Sequence, residues 1–101
     1  MAEKVKVATL SQVAEDRGTI VEVNGTAIAL FNIKGKIYAI HNQCPHAEGP
    51  LGEGDLEEKV VTCPWHGWQF DVTTGSNEGD PELKVETYPV EIRGEDIFVE
   101  I

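Results

Sequence analysis

The sequence predicts an all-β domain, and three observations predict it. Apolar residues alternate with polar ones over short runs, as they do in half-buried strands. Turn signals such as Asn24-Gly25, Lys34-Gly35 and Gly94 separate those runs at short intervals. No apolar pattern of helical period lasts beyond about three turns. Many short strands punctuated in this way build an antiparallel sandwich or a small barrel. A chain of 101 residues is expected to form a single domain over 1–101, with roughly two-thirds of its unfolded surface buried.

The elements follow in order. Val5, Val7 and Thr9 alternate with their neighbours and predict a first strand. Residues 11–16 are polar and long enough for one helical turn. Strands at 19–23 and 26–31 flank Asn24-Gly25, a pair suited to the two positive-φ positions of a tight hairpin. Lys34-Gly35-Lys36 turns the chain into a strand at 37–40. From 42 to 55 the pattern breaks around three Gly and two Pro, which no regular strand accommodates. Residues 60–62 resume a strand, 63–67 are loop-like, and 68–72 return to strand character. A loop at 74–81 precedes a strand spanning Val85, Thr87, Val90 and Ile92, where Pro89 marks an edge or a bulge. Residues 97–101 form the last strand.

Composition excludes several functions. Hydrophobic residues make up 41%, enough for a packed core. Eight basic against eighteen acidic residues give a net charge of −10. Phosphate backbones and anionic lipid surfaces both require clustered Lys and Arg, so neither nucleic acid nor membrane is an expected partner. A basic protein surface suits this charge better. No run approaches the roughly 20 apolar residues that span a bilayer, and the N-terminus lacks a signal-peptide core. The expected location is the cytoplasm. Two cysteines, Cys44 and Cys63, are few for a disulfide framework, and each stands close to a histidine.

The two irregular loops hold the notable chemistry. Cys44-Pro45-His46 is a Cys-x-His step, and Cys63-Pro64-Trp65-His66 is a Cys-x-x-His step. Each half offers one thiolate and one imidazole, and each Cys precedes a Pro that fixes φ and stiffens the loop. Two irons bridged by two sulfides take four protein ligands. If both thiolates go to one iron and both imidazoles to the other, the oxidised site is neutral, whereas a four-thiolate site carries two negative charges. An electron enters the neutral site more easily, so the potential rises. A tetrahedral zinc ion accepts the same donor set, although zinc sites usually pair like with like. A Cys–His nucleophile is a third possibility, and it leaves the duplicated pairing unexplained.

CPHAEGPL followed by CPWHGWQF resembles the Rieske iron–sulfur family. Gly49-Pro50-Leu51, Gly67, Gly75 and Tyr88-Pro89-Val90 extend the likeness over most of the chain. The resemblance implies an antiparallel β-sandwich with a small cluster-binding subdomain inserted at about 42–70. It implies one 2Fe-2S cluster per chain, with Cys44 and Cys63 on the inner iron and His46 and His66 on the outer iron. Pro81 would belong to a third loop shielding the cluster. Gly49 and Trp65 stand where the cytochrome-complex members of the family carry disulfide cysteines. Trp68 and Phe70 stand where those members place hydroxyls that donate to the cluster sulfurs. Such donors favour the reduced cluster. Their absence puts the expected potential at the low end of the family's range of roughly −150 to +300 mV, which a redox titration measures.

These features resemble the low-potential branch that includes ferredoxins of ring-hydroxylating dioxygenases. The implied function is single-electron transfer from an NAD(P)H-dependent flavoprotein reductase to a terminal oxygenase, by a monomer that is not itself an enzyme. The small subunit of an NAD(P)H nitrite reductase is the first alternative, and a zinc-stabilised interaction module the second. Elsewhere the expectations are plain. His41 reads as a strand-end surface residue, Trp65 as a partly exposed loop residue suited to partner contact, and Trp68 and Phe70 as packing residues. Asp71 is placed to accept a hydrogen bond from a loop amide, and Gly52 and Gly54 read as turn residues.

Overall fold

A computed structural model describes residues 3–15, 18–43, 50–65, 67–80 and 82–101. Ten strands occur in it: β1 (Lys4–Thr9), β2 (Thr19–Val23), β3 (Thr26–Ile33), β4 (Lys36–His41), β5 (Asp55–Glu57), β6 (Val60–Thr62), β7 (Gln69–Asp71), β8 (Thr87–Tyr88), β9 (Val90–Arg93) and β10 (Asp96–Glu100). They form three antiparallel sheets, ordered β1-β10-β9, β2-β3-β4-β8 and β5-β6-β7. The all-β expectation holds.

Local chemistry sets the register of the central sheet. Asn24 and Gly25 adopt φ of 51° and 83°, and Val23 pairs with Thr26 across them. Lys34 and Gly35 repeat this at φ 53° and 89°, with Ile33 opposite Lys36. Both two-residue turns carry the twist that suits a hairpin. The helical turn expected at 11–16 is a 3-10 turn slightly earlier, at Leu10–Gln12, where the Gln12 side chain accepts the Thr9 N–H at 2.9 Å.

Strand β3 is the middle of the molecule. Ile28, Ala29, Leu30 and Phe31 are all fully buried in succession, so the central sheet is covered on both faces. Ile28 and Leu30 pack with Val23, Ile37, Ala39, Ile97 and Val99 against the β1-β10-β9 sheet. Ala29 and Phe31 point the other way, into a second core with Ile40, Leu51, Val61, Cys63, Phe70 and Val85. Each fully buried Phe, Leu or Ile side chain contributes about 1.5–3 kcal/mol.

Two features differ from the sequence reading. The run from Val85 to Ile92 is two strands in two sheets: β8 pairs with β4, and β9 pairs with β10. Pro89 lies between them. It has no N–H to continue a ladder, so it marks where the chain leaves one sheet for the next, and its carbonyl accepts from Glu100. Strand β5 was not anticipated. It spans three residues, and only Leu56 packs inward, too short a pattern to show alternation.

Candidate metal centre

The three-stranded sheet β5-β6-β7 lies between β4 and β8 in the chain and carries the second Cys–His loop between β6 and β7. Cys63 follows β6 directly. Its N–H donates to the Trp68 carbonyl at 2.7 Å, and its own carbonyl accepts from Gly67 at 3.0 Å. These two bonds close the loop at its base. Gly67 has φ +74°, a conformation that a side chain disfavours. The Cys63 thiol is free and 1% exposed. Trp68 packs partly buried against the second core, and Phe70 is fully buried within it, both as expected. Trp65 is 60% exposed, also as expected.

The first loop is tied at both ends. Gln43 forms a bridge with Pro50. Asn42 is buried; its carbonyl accepts from Leu51 at 2.7 Å, and its side-chain oxygen accepts from Gly52 at 2.8 Å. Cys44, His46, His66 and Pro81 lie outside the described residues. Of the expected ligand set, Cys63 lies within the described residues. Among the described residues, no three His, Cys, Asp or Glu side chains gather where they could hold a metal. His41 ends β4 half-buried, and its N–H donates to the Glu86 carbonyl.

A third segment lies beside this loop. Asn77 is buried, and its side-chain oxygen accepts from Gly79 at 2.8 Å and Asp80 at 2.9 Å. Glu78 donates to the Gln69 carbonyl, which ties the segment to β7. Gly67, Trp68, Gln69, Asn77, Gly79, Asp80 and Leu83 line a cleft of about 430 Å³ between the two. Sequence reasoning missed both Asn42 and Asn77. Asn77-x-Gly79 was a usable signal, since Asn side chains commonly accept from the backbone two residues on.

Asp71 accepts from the Thr73 N–H at 2.8 Å and the Thr73 hydroxyl at 2.5 Å, and meets Lys59 at 3.3 Å. Burial pushes its carboxyl up, but the two Thr73 hydrogen bonds and the Lys59 ammonium outweigh that and hold it below the usual carboxylate value.

The donor chemistry fits an iron–sulfur cluster. A buried thiol at a loop base rigidified by backbone bonds suits a metal ligand whose thiolate charge is neutralised on binding. The family described as Rieske 2Fe-2S domain matches residues 3–89. The ferredoxin component of the naphthalene 1,2-dioxygenase/salicylate 5-hydroxylase systems of Ralstonia sp. is 39% identical over 89 residues, covering 87% of this chain and 86% of the relative. A chain from the complex of reduced oxygenase and oxidized ferredoxin in carbazole 1,9a-dioxygenase superposes with a TM-score of 0.86 at 26% identity, over 95% of this chain and 91% of that one. A protein assigned as the NADH-dependent nitrite reductase small subunit of Mycobacterium tuberculosis superposes with a TM-score of 0.91 over 100% of this chain and 96% of that one. At 22% identity, that likeness is one of fold alone.

Proposed function

This chain belongs to the Rieske 2Fe-2S domain family, and from that premise we propose that it passes single electrons to the terminal oxygenase of a ring-hydroxylating dioxygenase system. Its cofactor is a Rieske 2Fe-2S cluster, and it is an electron-transfer component rather than a catalyst. The observation that carries this reading is the relation to a dioxygenase ferredoxin component along 86% of that relative's own length.

The ligands we propose are Cys44 and Cys63 on one iron and His46 and His66 on the other. The two Cys–His steps support this set, as does the buried free thiol of Cys63. When bound, the cluster supplies a one-electron couple whose neutral oxidised state takes up charge readily. The chain's own contribution is to hold the second loop rigid, through the Cys63–Trp68 and Cys63–Gly67 bonds, and to exclude water from Cys63. Trp65, exposed on the second loop, offers a partner an aromatic anchor beside a ligand position.

Residues 1–101 make one domain in this reading, with about 42–70 as its cluster-binding part, and the chain acts as a cytoplasmic monomer. The donor is an NAD(P)H-dependent flavoprotein reductase. Reconstitution tests the assignment: purified chain is mixed with a dioxygenase flavoprotein reductase, NADH and a terminal oxygenase. Oxygenase reduction that depends on this chain is the expected result. Reduction without it, or dependence appearing only with a nitrite reductase large subunit, overturns the assignment.

A further inference from the structure

The two ligand loops come from different sheets, and a single turn at Leu51–Glu53 stands between them. Asn42 anchors that turn. It is 7% exposed, and its backbone bonds in two directions, donating to the Ala27 carbonyl at 3.0 Å and accepting from Leu51. Its side-chain oxygen takes the Gly52 N–H, a bond buried from water. A Cβ on Gly52 would collide with Ile20 and with that same oxygen, so the turn is seated flush against Asn42.

From the turn, contact runs on to the second loop. Leu51 is fully buried in the core that contains Cys63. Gly54 donates to the Leu51 carbonyl and lies so close to the Thr62 carbonyl that a Cβ would overlap it. Thr62 immediately precedes Cys63. An unbroken series of contacts therefore joins Asn42, the residue closing the first loop, to Cys63, the residue opening the second.

We propose that the Asn42 side chain is a positioning residue: its hydrogen bond to Gly52 sets the spacing between the segment carrying Cys44 and His46 and the segment carrying Cys63 and His66. This rests on the ligand set proposed above. Without the acceptor, the buried Gly52 N–H is left unpaired, and the turn gains free energy by moving away to find water. The first loop then shifts against the second, and a cluster bridging both would be strained.

Two variants test this: Asn42→Leu, which keeps the branched side-chain skeleton and removes the acceptor, and Val99→Ala, which weakens the opposite core. Purified proteins are challenged with an iron chelator, and their reduced EPR spectra are compared. Asn42→Leu is expected to lose iron about tenfold faster than the parent and to broaden the spectrum, because a buried donor has lost its partner. Val99→Ala should retain iron at close to the parental rate with an unbroadened spectrum. Parental retention and line shape in Asn42→Leu would overturn the proposal. So would equally fast loss in Val99→Ala, which would reduce the effect to general stability. Failure of the ligand set itself shows differently: the parent protein then contains no iron or acid-labile sulfide.

Discussion

Asp71 ends β7 and gathers three hydrogen-bonding or ionic partners onto one buried carboxylate, two from Thr73 and one from Lys59. Lys59 is largely exposed, so solvent screens its share, and the Thr73 bonds carry most of the effect. The carboxyl titrates lower in the folded chain than in the unfolded one. Its contribution is therefore complete above the ordinary carboxylate pKa and is lost as the pH falls through the lowered folded value. Asp71→Asn, which removes the charge and keeps the shape, should cost about 1–2 kcal/mol at pH 7. Denaturant unfolding at pH 7 and pH 3 measures this, and the gap between variant and parent should shrink at the lower pH. The sequence reading placed Asp71 to accept from a loop amide, and the Thr73 N–H is such a donor. Asn42 gave no such mark. Its partner Gly52 lies ten residues away, across a loop whose path no local rule dictates.

At the scale of elements, legibility followed turn chemistry. The β2–β3 and β3–β4 hairpins could be read directly because Asn24-Gly25 and Lys34-Gly35 provide the positive φ those turns require. The β5–β6 hairpin could not. Its turn places Glu58 at φ +57°, a conformation that no glycine announces there. The path through Pro89 was half legible: a missing N–H shows that a ladder stops, but not that a different sheet begins. Gly52 and Gly54 were rightly read as turn residues, yet their larger role is close packing, which depends on chains brought together from afar. Gly54→Ala tests that role. Its Cβ meets the Thr62 backbone, which cannot rotate aside, so the variant should lose about 1–3 kcal/mol in thermal or denaturant unfolding. By contrast, a Cβ on Gly35 meets nothing, so Gly35→Ala should cost only the left-handed strain of about 1–2 kcal/mol.

Over the whole molecule the charge is unevenly spread. Residues 42–83 hold nine carboxylates and one ammonium group, and so carry −8 of the chain's −10. That stretch includes the β5-β6-β7 sheet and the second loop. Such a polarity along the chain favours approach of this stretch to a basic surface and raises the encounter rate. Electron transfer to the oxygenase in stopped flow should therefore slow by about tenfold or more between low salt and 0.5 M salt. A rate indifferent to ionic strength would contradict the steering argument while leaving the cofactor assignment intact. Net charge and its asymmetry were open to reading from the residues alone, and so were both Cys–His steps. What the residues alone withheld was the three-layer order that sets the second core, with Cys63 in it, against Ala29 and Phe31.

The central claim is that two imidazoles and two thiolates share one 2Fe-2S cluster, and nitrogen hyperfine spectroscopy tests it most directly. The protein is labelled with ¹⁵N-histidine, reduced, and examined by electron–nuclear double resonance. Two strongly coupled histidine nitrogens on the reduced cluster are the predicted result, one lost in each of His46→Cys and His66→Cys and both retained in His41→Gln. A reduced cluster with no coupled histidine nitrogen, or a colourless protein holding zinc, would contradict the account.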